Sequence, residues 1–154
     1  KTQNFTITLE GTDQTLRAAQ IVIAAGPFLK RVAGMLDIRL PVFNVLQQKI
    51  AFEDTAGAIP RRMPFSIDLD RQRLDWTDEE RALLAEDPDL ARLTEEMPGA
   101  IHCRPDGGDR GNWIKLGWAF NETPSQVSLE PDLNDTYPEI VLRGAARLNP
   151  SLRT

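Results

Sequence analysis

Apolar and polar residues alternate with a period of two along several short stretches of this chain, and each predicts a strand with one buried face. Phe5-Thr6-Ile7-Thr8-Leu9 is the first; Glu10-Gly11-Thr12-Asp13 supplies turn chemistry, and Thr15-Leu16-Arg17-Ala18 returns as its partner, a small meander. Ile21-Val22-Ile23 breaks the alternation. Three β-branched residues in succession suit a strand buried on both faces, as in a parallel sheet. Ala24, Ala25, Gly26 and Pro27 then strip away side-chain bulk where that strand stops. Ligands of open sheets bind beyond the carboxyl ends of strands, so these four are candidates for backbone contact with a flat cofactor. An ordinary turn after a core strand is the alternative.

Further along, Val42 to Phe52 is long and β-rich, and Met63 to Leu69 alternates, with Phe65, Ile67 and Leu69 on one face. These two are expected to pair across the Ala56-Gly57-Ala58 turn. Ala100–Arg104 and Trp113–Trp118 are expected to form a hairpin around Asp106-Gly107-Gly108-Asp109. Between them, Thr77-Asp78-Glu79-Glu80 reads as a capping box opening a helix to about Glu86. Asp87-Pro88 starts another, carrying Leu90 and Leu93 to Met97 before Pro98-Gly99 stops it. After Tyr137-Pro138, a last helix places Val141, Ala145, Leu148 and Leu152 on one stripe. The fold class is therefore α+β: four strands in one largely antiparallel sheet, with the acidic helices on one side.

At 154 residues and 41% hydrophobic, the chain can bury one good core, and one domain plus an appendage is the natural count. A formal charge of -5 argues against nucleic acid, whose phosphates need clustered Lys and Arg, and the Arg61-Arg62 pair is too short to change that. No apolar run approaches the roughly 20 residues of a membrane span, and no charged-then-apolar signal segment opens the chain. A cytoplasmic setting and no membrane partner are expected. The single Cys103 and single His102 provide neither a disulfide framework nor a structural zinc site, so no metal is expected.

Few residues can carry chemistry. Arg104, beside Pro105, can fork two donors onto a carboxylate, although a surface salt bridge is the commoner role of a strand-end arginine. Alternation puts His102 and Arg104 on one face of their strand and Ile101 and Cys103 on the other. If the apolar face packs on the helices, the polar pair faces a cavity, where His102 can orient an amine. Gln48 can hydrogen-bond substrate or flavin, or complete the sheet edge. Cys103 reads as a small core residue. Trp118 and Phe120 share one face and Trp113 takes the other, as core or as an aromatic wall for substrate. No G-x-S-x-G and no arrangement of Ser, His and acid suggests a hydrolase.

Ile21 to Phe28 resembles the "VVxAAGxW" stretch of FAD-dependent oxidoreductases related to D-amino-acid oxidase, glycine oxidase and sarcosine oxidase, with Phe28 in the aromatic place. Gly34-Met35-Leu36-Asp37-Ile38-Arg39-Leu40-Pro41 is similar to the "GLxLP" that follows there. Pro41-Val42-Phe43-Asn44-Val45-Leu46-Gln47-Gln48 is similar to the "PVxPxRGQ" strand leaving the FAD domain; Gln48 matches, whereas Asn44 and Gln47 depart from Pro and Gly. Gly99 to Gly108, leading to Ile114-Lys115-Leu116-Gly117, resembles the "GxYxRPxGGxxLLGG" hairpin, with His102 in the aromatic position. The order of these motifs carries more weight than any one of them.

The resemblance implies that residues 1–40 are a remnant of an FAD-binding domain, 41–149 a substrate-binding domain and 150–154 the start of a return to the FAD domain. It implies FAD as cofactor and oxidation of a C–N bond of a small amine or amino acid by hydride transfer to flavin. Ala24 to Pro27 then fall on the cofactor side, and Gln48, His102 and Arg104 on the substrate side. The chain contains no G-x-G-x-x-G phosphate-binding turn. It is therefore expected to need the remaining FAD-domain segments of a parent protein as partners and, alone, to bind flavin poorly and be inactive. The competing expectation is a non-enzymatic α+β binding or interaction module.

Overall fold

A computed structural model describes residues 4–153. In chain order its elements are β1 (Phe5–Thr8), β2 (Thr15–Ala18), α1 (Leu29–Gly34), β3 (Asn44–Val45), β4 (Lys49–Glu53), β5 (Ser66–Asp68), α2 (Asp78–Glu86), β6 (Ile101–Asp106), β7 (Trp113–Gly117), β8 (Pro124–Ser125) and α3 (Tyr137–Leu148). They fall into two units: residues 1–44 with 125–127, and residues 45–124 with 128–154.

In the amino-terminal unit, β1 and β2 form the expected antiparallel hairpin, Phe5 opposite Ala18 and Thr8 opposite Thr15. Ile21-Val22-Ile23 corrects the expectation of a buried strand: it belongs to no strand, and Val22 is 89% exposed. A β-branched run becomes a strand only where a neighbour satisfies its backbone, and none of the described strands pairs with it. The turn after it does form, as a single 3-10 turn over Gly26–Phe28 that runs into α1.

The second unit is built on a four-stranded antiparallel sheet in the order β4-β7-β6-β5. Part of each of the four expected segments is in it: Val42–Phe52 joins only from Lys49, its Asn44–Val45 portion being the separate strand β3, while β6 runs on to Asp106. The register sets Phe52 against Ile114, Ile50 against Leu116 and Cys103 against Leu116, so the alternating apolar residues line up across strands. Ile101, Cys103, Ile114 and Leu116 are fully buried on that face. β4 and β5 do not pair; they are the two edges. The connection between them is shaped otherwise: the Asp54 carboxylate accepts from the N–H groups of Ala58 (2.7 Å) and Ile59 (2.9 Å), and Arg61 donates to the carbonyls of Asp106, Gly108 and Trp113. Tying this segment to the tip of the β6–β7 hairpin carries the chain across the sheet instead of back along β4.

α3 lies over the buried face. Its Tyr137, Ile140, Val141, Gly144, Ala145 and Ala146 are buried, and Gly144 leaves a notch for the rings of its neighbours. A Cβ there would stand 2.5 Å from Cζ3 of Trp118 and 2.7 Å from Cδ1 of Ile101. α2 is opened by the expected capping box, Glu80 N–H donating to Thr77 Oγ1 at 3.2 Å and Thr77 N–H to Glu80 Oε2 at 2.8 Å. Arg143 of α3 stacks over Trp76 at 4.2 Å and pairs with Glu80 and Glu139, which ties α2 to the same side of the sheet. These hydrogen bonds, the Thr77 N–H first and then Arg143, hold the Glu80 carboxyl below its ordinary value.

The second acidic helix shrinks to a 3-10 turn, Ala91–Thr94. The Asp87 carboxylate accepts from Asp89 N–H, a local bond that competes with helix, and Met97 must be extended to exchange two backbone hydrogen bonds with Gln72. No helix among the described residues is long and apolar enough to cross a membrane.

Cys103 packs in the core, where burial pushes its thiol up to about 11. It is expected to resist an aromatic disulfide reagent at mildly alkaline pH and to react with one equivalent only after unfolding. Fast labelling of the native chain would contradict this burial.

Candidate functional site

The two faces of the sheet have opposite characters because a strand alternates its side chains and only one face is covered by α3. On the other face, β6 presents His102 and Arg104, β7 presents Trp113 and Lys115, and the β5 segment presents Phe65 and Ile67. Phe65, Ile67 and Trp113 are 55%, 43% and 42% exposed, against complete burial of Ile101 and Ile114 behind them. The sequence reading of which residues share a face holds here, including Trp118 and Phe120 in the core and Trp113 outside it.

His102 lies beside Phe65 (ring centroids 5.2 Å apart) and across from Gly117. Only a glycine leaves that room: a Cβ on residue 117 would be 2.5 Å from His102 Nε2. His102 Nδ1 is 3.1 Å from the Ala100 carbonyl, which can only accept, so Nδ1 carries the proton of that bond and Nε2 is the nitrogen left out of it. Ala100 holds φ at 75°, a conformation costly for a residue with a Cβ, and thereby turns its carbonyl toward the imidazole.

Arg104 is half-exposed and contacts Asp106 at 3.2 Å, while Lys115 contacts the other oxygen of the same carboxylate at 2.9 Å. The hydrogen bond from Lys115, reinforced by the charges of Lys115 and Arg104, holds the Asp106 carboxyl below its ordinary value. Asp106 thus has a second close cation, Lys115, beside Arg104. Sequence reasoning missed both Asp106 and Lys115, although their period-two spacing from Arg104 and Trp113 puts them on this face.

Gln48 is not part of this face. Its carboxamide grips the backbone of Asn134 at both ends, accepting from N–H at 2.9 Å and donating to C=O at 3.3 Å. It lines a separate cavity at the end of the sheet where β4 begins and the chain leaves β7. In the amino-terminal unit, Ala24, Ala25, Gly26 and Pro27 form the tight turn; Gly26 has φ 53°, and a Cβ there would meet nothing within 4 Å. The Pro27 carbonyl accepts from Asn44 Nδ2 at 3.0 Å, which pins the turn. Among the described residues no group of three or more His, Cys, Asp or Glu is placed to hold a metal ion.

Compared with models of known protein families, with curated proteins and with solved structures, the chain finds no match in any of the three.

Proposed function

We infer that this chain supplies the substrate-facing sheet of a cytoplasmic FAD-dependent oxidoreductase, related to the D-amino-acid, glycine and sarcosine oxidases, which oxidises a C–N bond of a small amine or amino acid. The observation that supports the reading is the exposed sheet face on which His102 and Arg104 stand opposite Gly117 and Lys115, with Ile101, Cys103, Ile114 and Leu116 buried behind them. A planar guanidinium with free donors suits a substrate carboxylate, and an imidazole whose Nε2 is left unbonded suits a substrate amine. Phe65, Ile67 and Trp113 surround the pair with apolar surface that can shed water from a small side chain.

On the cofactor side, the turn Ala24 to Pro27 is compatible with FAD because nothing stands above Gly26 and a flat ring system can approach the backbone there. Bound FAD supplies the redox chemistry, accepting hydride from the carbon that bears nitrogen. The chain's own residues bind and orient: Arg104 fixes the carboxylate and His102 Nε2 receives a hydrogen bond from the amine. The phosphates of FAD require groups beyond those recognised in this sequence, so flavin retention belongs to the whole parent protein.

Purification of the full-length protein that contains this chain, with release and identification of its cofactor, tests the reading. Stoichiometric FAD is the expected result, and a colourless, fully folded protein that takes up no FAD would overturn it. The engagement of Arg104 by Asp106 favours a second reading, a binding module whose exposed face is held together by ion pairs.

A further inference from the structure

The cavity beside Gln48 holds a combination that the exposed sheet face does not explain. It measures about 180 Å³ and lies wholly within the second unit. That is below the roughly 300–1,000 Å³ of sites for drug-sized ligands, so its occupant must be small. Arg92 and Asp132 both line it, yet neither has an ion-pair partner among the described residues, and they do not pair with each other. A cation and an anion facing one small cavity without neutralising each other make a site for a ligand that carries both opposite charges.

The walls are already fixed. Gln48 is bonded at both ends to Asn134, Gln47 donates to the Asn121 carbonyl at 2.6 Å, and Asn121 donates to the Leu46 carbonyl at 3.1 Å. The Tyr137 hydroxyl is held by the backbone of Gln48 and Trp118. Preorganised amides lose little freedom when a ligand enters. The Arg92 guanidinium lies 5.6 Å from the centre of the Phe120 ring, which in turn stacks on Tyr137 at 5.7 Å, so the ring helps hold the guanidinium at the cavity wall.

We propose that this cavity is a recognition site for a small free α-amino acid, its carboxylate on Arg92 and its ammonium on Asp132. The site is separate from the His102 and Arg104 face and does not depend on the flavin reading. Arg92 and Asp132 are both exposed, so their substitution leaves the core intact.

Calorimetric titration of the purified chain with glycine, L-alanine and L-valine, alongside isobutylamine and isovalerate as the one-charge counterparts of valine, tests the proposal. At least one amino acid is expected to bind saturably, with Kd of about 1 mM or tighter, and the one-charge compounds at least tenfold more weakly. Arg92→Gln and Asp132→Asn are each expected to weaken the amino acid about tenfold or more, while Arg71→Gln, an exposed guanidinium outside the cavity lining, leaves it unchanged. No saturable binding of any of the three, equal binding of the one-charge compounds, or binding that survives both substitutions would overturn the proposal. An equal loss of binding on Arg71→Gln would reduce the effect to net charge and overturn it equally.

Discussion

Trp118→Ala is expected to destabilise the second unit by about 3–5 kcal/mol, the usual cost of deleting a large buried aromatic. Trp118 is 1% exposed, meets Phe120 edge-on with centroids 5.4 Å apart, and donates from Nε1 to the Pro98 carbonyl at 2.9 Å. The substitution removes packing on both sides of the α3 notch and leaves the Pro98 carbonyl short of a donor. Against a total stability of about 5–15 kcal/mol this is a large share, and the thermal midpoint should fall by about 10 °C. The notch itself provides a sharper check. Gly144→Ala forces a Cβ against Trp118 and should cost about 1–3 kcal/mol in the parent sequence, but much less once the ring is gone. Chemical denaturation of the two single variants and the double variant measures this coupling, and strict additivity would contradict the packing of α3 on the sheet.

Under the proposed function, Arg104→Lys in the full-length protein is expected to lower kcat/KM for a carboxylate-bearing substrate about tenfold or more, in line with the roughly 1.5–3 kcal/mol of a hydrogen bond to a charged group. Lysine keeps the charge but loses the planar two-point grip. The decarboxylated amine, which has nothing for Arg104 to hold, should be affected far less. Folding and FAD content should be unchanged, because Arg104 is half-exposed and Lys115 remains beside Asp106. An exposed ion pair alone is worth only about 0–1 kcal/mol and has no reason to distinguish the two substrates. Equal small effects on both would remove Arg104 from substrate binding.

Three of the four strands of the sheet were legible in the sequence because one face is buried and one is not; β5 departs from that rule, its alternating Phe65, Ile67 and Leu69 being exposed. Period-two alternation through Ile101, Cys103, Ile114 and Leu116 encodes that asymmetry directly, and the Thr77 and Glu80 box encodes the start of α2. Strand order was not legible. Nothing local in Val42 to Phe52 or Met63 to Leu69 says that a hairpin formed much later in the chain will lie between them. Ile21-Val22-Ile23 misled for the same reason, since β propensity names no partner. Gln72, Leu74 and Trp76, buried at alternate positions, were overlooked because charged residues interleave them.

For the candidate site, the facing of His102 and Arg104 followed from alternation. The ion pairing of Arg104, the room that Gly117 gives His102 and the separation of Gln48 from both depend on neighbours brought together by β6 and β7. Arg92 and Asp132 carried no signal of their own. They are distant in sequence, and only the folding of the second unit places them on one cavity.

The central proposal is that this sheet presents a small amine or amino acid to flavin, and anaerobic mixing of the full-length protein, supplied with FAD, with such compounds measures it most directly. The account predicts that the visible absorption of oxidised flavin bleaches at a rate that saturates with substrate, and that Arg104→Lys slows the bleaching selectively for the carboxylate-bearing compound. An absorption band left unchanged by every amine and amino acid tested would contradict it.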